Sequence, residues 1–385
     1  MLILPMAPID PRTVILLAAV MSGLMALVLY SLKRNFPASI KGLSEWAGAL
    51  LVLLLGALLV AGRGRLPDFL STSISSFMLW SGLYLAYVGT QRFLGVPSRS
   101  LPWIVLITVA LLAQIWFTSV APSYHMRLIV TTVMMAGLSG AHAWLIFRRG
   151  SITSSRALAI GVLLFLFAAQ IMRLVTSFSE SFPADAEFFD PTAMQLVYIT
   201  SFAFGALLFS ISMVLMATDQ LRIELQHLAN HDSLTNALTR RHMDDACRAE
   251  LERCRRHGRS MALLMMDLDN FKAVNDTYGH QAGDRVLIDF VTRIKALLRE
   301  PDQLGRFGGE EFMALLPETS LEEAIHVAER IRELFAEASD KPHCTVSIGI
   351  TTNQKDTDTV DTLLARADAA LYRAKANGRN RVESA

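Results

Sequence analysis

Polar residues are sparse in seven stretches of the first 217 residues, near 14–32, 43–62, 69–90, 101–121, 127–147, 156–178 and 193–217. Each approaches the ~20 apolar residues that carry a helix across a bilayer. The pattern therefore predicts an all-α membrane bundle of about seven spans. Past residue 217 the period changes. Leu221, Leu225 and Leu228 recur at spacings of four and three, a helical stripe over 217–230. That stripe suits a short two-stranded coiled coil and a helix packed on its own domain equally well. Helices are then expected near 240–257, 281–299, 320–338 and 360–376. Strands are expected at 261–267 and 344–350, with a hairpin over 303–316. Strands interleaved with helices around one hairpin predict an α/β sandwich with a mixed sheet.

Charge sharpens the division. Residues 1–216 hold 13 Lys+Arg and 7 Asp+Glu, whereas 217–385 hold 23 and 28. The expected parts are a seven-span sensor region over 1–216, a signalling helix over 217–230 and a catalytic domain over 231–385. Alternate connections between spans differ in basic residues. One set carries Lys33, Arg34, Lys41, Arg92, Arg99, Arg148, Arg149 and Arg156, and the other Arg12, Arg63, Arg65 and Arg127. The richer side faces the cytoplasm. This places the chain in a cytoplasmic membrane, with the N-terminus outside, an acidic outer connection (Glu180, Asp185, Glu187, Asp190) and the charged C-terminal half inside. Six more runs after the first argue against a cleavable signal. Among polar residues inside the runs, Arg173, Gln114, His142 and Gln170 could mark a transport path, but ordinary helix packing explains each. Cys247, Cys254 and Cys344 lack metal-ligand spacing and read as small structural residues. A net charge of +1 offers no basic field for nucleic acid.

Chemistry concentrates in two segments. In "MMDLDNFKAVNDTYGHQAGDRVL" an apolar run ends at Asp267, at the sheet edge where α/β active sites collect. Asp269 reads as the N-cap of a short helix, whose first amides, with Lys272, could face an anion. In "RFGGEEF" two glycines precede Glu310 and Glu311, adjacent carboxylates that repel unless a cation lies between or beside them. Asp267, Glu310 and the Leu268 carbonyl could share a hard divalent cation, which proteins commonly hold with one or two carboxylates plus substrate phosphates. Gly308 and Gly309 would let a triphosphate approach the backbone. From the residues alone, solvated surface acids remain an equal alternative.

These motifs, with "HDSLT" at 231–235, "SIG" at 347–349 and "ADAALYRAKANGRN" at 367–380, closely resemble the GGDEF family of diguanylate cyclases over Leu228–Val382. The resemblance implies a fold like the palm of nucleotide cyclases. It implies condensation of two GTP into cyclic di-GMP and two pyrophosphates across a homodimer, with Mg²⁺ or Mn²⁺. It gives Asp267, Leu268, Glu310 and Glu311 to the metal, and Glu310 to accepting the hydroxyl proton. Phe271 and Lys272 match the phosphate-contacting turn, so Lys272 joins Glu310 in the catalytic group. Asn275 and Asp284 match the guanine readers, and Lys375 and Arg379 the basic pair reaching the triphosphate. "REPD" stands where the family binds product for feedback, which implies roles for Arg299 and Asp302, with Arg330 or Arg332 as a further arginine. Asn236 and Thr239 depart from the family's opening pattern; Asn tolerates the left-handed backbone that glycine would supply. The alternative from another class is a catalytically silent GTP or cyclic di-GMP receptor. Degenerate versions should lose the carboxylates that this chain keeps. The remaining expected partner is membrane lipid.

Overall fold

The computed structural model describes residues 10–98, 100–149, 153–178, 188–189, 193–337, 342, 344–354 and 358–385. Arg99 and the acidic residues Glu180, Asp185, Glu187 and Asp190 lie outside them. The chain divides into two compact units, Met1–Ile223 and Glu224–Ala385.

The first unit is helical: α1 (Pro11–Asn35), α2 (Leu43–Ala61), α3 (Ser75–Phe93), α4 (Leu101–Ile115), α5 (Tyr124–Arg148), α6 (Ser154–Ser177) and α7 (Ala193–Asn230). π-Helical turns at Phe69–Ile74 and Trp116–Val120 extend α3 and α4. Seven helices among the described residues are long and apolar enough to cross a membrane, matching the seven runs. The helices also carry large apolar side chains outward, such as Leu27, Leu101, Val109 and Val175. The polar residues noted inside the runs are engaged. His142 Nε2 lies 2.7 Å from Thr90 Oγ1, and Gln114 and Gln170 donate to Ser76 and Tyr198. No break separates the last apolar run from the Leu stripe, since α7 runs through both. Leu221 packs in the helical core, but Leu225 and Leu228 are exposed.

The second unit is a six-stranded mixed sheet in the order β1-β3-β4-β2-β5-β6. Its strands are β1 (Leu238–Thr239), β2 (Met261–Leu268), β3 (Gln303–Gly308), β4 (Glu311–Pro317), β5 (Val346–Thr352) and β6 (Val382–Ser384). Helices α8 (Arg240–His257) and α12 (Val360–Ala376) cover one face. Helices α9 (Phe271–Tyr278), α10 (His280–Leu297) and α11 (Leu321–Ala336) cover the other. Side chains alternate along a strand. Leu264 and Met266 therefore enter one core, and Leu263 and Met265 the other, so every residue of β2 is buried. Gly349 in "SIG" admits α12, since a Cβ there would lie 2.3 Å from the Ala367 carbonyl oxygen. The edge strands β1 and β6, two and three residues long, were not anticipated. Asn236 takes the left-handed conformation (φ 54°). The three cysteines are buried, and burial pushes the Cys247 and Cys344 thiols up to about 12 and 11.

Candidate active site

The ladder between β2 and β4 sets Asp267 directly opposite Glu311. Like charges in that position repel. Alternation puts both on the α8/α12 face, and α12 supplies the counter-charge: Lys375 Nζ lies 2.7 Å from Asp267 Oδ2. Asp267 is buried, and burial pushes its carboxyl above the ordinary range. Lys375 opposes that shift, while Glu311 and Asp269 add to it. Glu310 caps the hairpin tip, where its carbonyl accepts from the Leu268 amide at 3.3 Å. Its carboxyl is also raised, by burial and then by Asp267, with Lys375 opposing and Glu311 adding. Asp267, Glu310 and Glu311 thus form one electrostatically coupled acidic group at the end of β2, with Lys375 against it.

The hairpin is held by a residue outside the expected set. Arg306 donates from Nε and Nη2 to the Gly309 carbonyl, at 3.1 and 2.7 Å, and from Nη1 to Asp232 at 2.9 Å. Asp232 also accepts from the amide and hydroxyl of Thr235. Burial alone would push Asp232 up, but these bonds from Thr235 and Arg306 outweigh it and hold the carboxyl low. "HDSLT" therefore braces "RFGGEEF". Neither Gly308 nor Gly309 takes a positive φ. Gly309 instead leaves open space, with nothing among the described residues within 4 Å of where a Cβ would stand.

Helices α9 and α10 pack against one another at a corner. A Cβ on Gly283 would lie 2.0 Å from Asn275 Oδ1. The bare glycine thus admits the Asn275 side chain against the first turn of α10, next to exposed Asp284. Lys272 is exposed on the first turn of α9. Phe271 is buried in the core, which leaves only its main chain for a ligand. Asp269 does not cap α9. Asn270 does so in a left-handed conformation, because the Asp269 carboxylate is taken by Thr345 Oγ1, Ser347 Oγ and the Asn380 amide. Arg379 is exposed just past α12, with a positive φ of 60°.

Away from this group, Arg299 and Asp302 form a tight turn. The Arg299 amide donates to Asp302 Oδ2 at 2.8 Å, and Nη2 donates to Thr319 Oγ1 at 2.9 Å. Arg332 is paired with Glu329 and Glu333, while Arg330 is exposed.

The residues fit a divalent cation. The buried carboxyl of Asp267 and the half-buried one of Glu310 are held above their ordinary range by desolvation and by neighbouring carboxylates, a strain that a bound cation relieves. No cluster of three or more His, Cys, Asp or Glu is placed to ligate a metal among the described residues. A cation here would draw part of its shell from main-chain and phosphate oxygens, as Mg²⁺ commonly does.

Residues 229–381 match the family model described as "Diguanylate cyclase, GGDEF domain". Response regulator PleD of Caulobacter vibrioides is 39% identical over 175 residues, covering 43% of this chain and 38% of that protein. Diguanylate cyclase DgcM of Escherichia coli is 41% identical over 172 residues, covering 44% and 42%. The chain therefore spans less than half the length of either relative. The solved GGDEF domain of DgcB from Caulobacter crescentus, in complex with c-di-GMP, is 33% identical with a TM-score of 0.39, covering 40% of this chain and 93% of that one. Motifs, mixed sheet and family match agree on one segment: residues 229–381 are a domain of the GGDEF diguanylate cyclase family.

Proposed function

We propose that the chain is a membrane-anchored diguanylate cyclase that condenses two GTP into cyclic di-GMP and two pyrophosphates. The observation that carries this reading is the coupled acidic group of Asp267, Glu310 and Glu311 at the end of β2, with an open glycine beside it. Mg²⁺ or Mn²⁺ held by Asp267, Glu310 and the Leu268 carbonyl, with Glu311 assisting, would neutralise phosphate charge and acidify the attacking hydroxyl. The chain's own groups do the rest. Glu310, with its raised proton affinity, accepts the proton of the 3′-hydroxyl. Asp284 accepts from the guanine N1–H and amino group, and Asn275 stands beside it. Adenine offers no N1 donor, which selects GTP. Lys272 and Arg379, both exposed, face the phosphates, and Gly308 and Gly309 leave them room.

Each protomer binds one nucleotide, so the reaction needs a homodimer. Leu225 and Leu228, exposed at the end of α7, support pairing through that helix. Product feedback rests on Arg299, whose guanidinium is more than half exposed beside Asp302. In the membrane the N-terminus lies outside and residues 231–385 lie in the cytoplasm, where GTP is.

The test is full-length protein with GTP and Mg²⁺, followed by mass spectrometry of the products. Cyclic di-GMP from the wild type, and a loss of about 10²–10⁴-fold or more in Glu310→Ala, is the expected result. GTP binding without product at high protein concentration would instead make the chain a silent receptor.

A further inference from the structure

The helical unit contains a cavity of about 110 Å³ whose wall is mostly apolar, with Ile15, Val60, Leu79 and Phe202 among its residues. Three arginines also line it: Arg63 after α2, Arg127 in the first turn of α5, and Arg173 in the last turns of α6. Two of them, Arg63 and Arg173, share one ring. The Arg63 guanidinium lies 4.1 Å from the Phe188 ring centre and that of Arg173 lies 5.9 Å from it, while Arg173 also sits 3.6 Å over Tyr198. Among the described residues none of the three forms an ion pair; Arg63 donates to the Ser71 carbonyl and Arg173 to Gln195. Burial lowers Arg63 to about 10; Tyr124 and Asp68 oppose this, and the charges of Arg127 and Arg173 add to it.

Among the described residues, two polar atoms buried in the wall have no partner, Arg127 Nε and Gln114 Oε1, and Gln114 is only 1% exposed. Buried polar atoms are rarely left unbonded without a ligand or water in view. Gln114 and Thr72 also belong to the segments where α4 and α3 pass into π-helix, a local geometry often found at functional sites. The charge bias adds an independent argument. In the proposed orientation these arginines lie at the outer end, where the positive-inside rule disfavours them.

We propose that this cavity binds a short-chain aliphatic monocarboxylate, with its carboxylate among Arg63, Arg127 and Arg173 and its hydrocarbon against the apolar wall. A larger void of ~150 Å³ accommodates benzene, with six heavy atoms, so the present volume of about 110 Å³ sets an upper limit of about six heavy atoms. Butyrate has that size. Guanidinium forks match carboxylate oxygens in shape and charge. The proposal goes beyond the catalytic reading and does not depend on it.

The test is isothermal titration of butyrate into the full chain in phosphatidylcholine nanodiscs. Saturable binding is expected, with butyramide, its neutral isostere, weaker by about tenfold or more, since charge-assisted hydrogen bonds are lost. Arg173→Gln should weaken butyrate by a similar factor, and Glu310→Ala should leave it unchanged, which separates this site from the catalytic one. Absence of saturable binding up to about 10 mM would overturn the proposal, as would equal affinity for butyramide. The wild-type comparison stands even where an arginine variant fails to fold. A second arm uses nanodiscs containing phosphatidylglycerol: unchanged affinity supports a free carboxylate, whereas loss of butyrate binding identifies a lipid headgroup as the occupant and overturns it.

Discussion

Replacing Lys375 by Met tests whether the acidic group is held by one cation. The substitution keeps much of the side chain's apolar length and removes its charge. Asp267 is then left buried, facing Glu311 across the ladder, with no ion pair among the described residues. Removing one partner of a fully buried pair costs about 3–5 kcal/mol, and exposed pairs are worth about 0–1. Lys375 is 36% exposed at its side chain and Asp267 8%, so the cost lies between, at about 2 kcal/mol. For a unit of the size of Glu224–Ala385 that is a fall in Tm of about 4–8 °C. The sign with pH follows from the raised Asp267 carboxyl. Its folded value lies above the unfolded one, so the native state holds more protons between the two, and stability falls as pH rises through that window. Losing Lys375 raises the folded value further. The penalty should therefore be full at about pH 7.5 and fade as pH falls toward the ordinary carboxylate value of 3.8. Scanning calorimetry in nanodiscs without divalent metal reads this directly. Added Mg²⁺ should also return more stability to the variant than to the wild type, by mass action on a more anionic site. An unchanged Tm at neutral pH, or a penalty that persists undiminished in acid, would refute the arrangement.

Gly283→Ala should raise KM for GTP about tenfold, the value of one hydrogen bond, because the new Cβ displaces Asn275. Its kcat and Tm should change little, since alanine's helix propensity offsets the displacement; steady-state kinetics with a melting curve separates the two. Arg306→Lys should loosen the hairpin, because lysine cannot fork onto the Gly309 carbonyl while reaching Asp232. Faster hydrogen exchange at residues 308–312 is the readout. Asp232 itself is held low, so its contribution to stability is present above the ordinary carboxylate value and is lost as pH falls through the folded one. Asp232→Asn should flatten the acid limb of the stability profile. Arg299→Ala should leave initial rates intact and weaken inhibition by added cyclic di-GMP about tenfold or more, measured as an IC50 shift.

What the sequence revealed was whatever is local or periodic. Seven apolar runs match seven helices, among the described residues, that are long and apolar enough to cross a membrane, because a run of that length and composition is itself the signal. The buried strand before Asp267 and the amphipathic α11 are legible for the same reason: burial of a face imposes a period. The short edge strands β1 and β6 carry no period to read. The cap of α9 went to Asn270 because the Asp269 carboxylate found three donors from β5, its approach and the turn before β6, none visible from its neighbours. The same limit governs the site. Its candidate acids stood out through residue type together with the family resemblance, but the groups around them come from remote segments: Lys375 from α12 beside Asp267, and Asp232, 74 residues before Arg306, bracing the hairpin.

Each of those supports does for a neighbour what the neighbour's own sequence cannot. Asp267 and Glu311, directly opposed on the ladder, repel, and an opposing charge from another element stabilises the pair. Here one residue holds the shape of the hairpin and another supplies that charge. Arg306 fixes the carbonyl at the hairpin tip, and Lys375 neutralises the strand acid behind it. A cation entering beside Asp267 must share that carboxylate with Lys375 or displace the ammonium. If it displaces it, Lys375 is released at the moment that substrate phosphates arrive with the metal. One lysine would then hold the empty site together and bind the triphosphate in the filled one, which reconciles its position against Asp267 with its expected place on the phosphates.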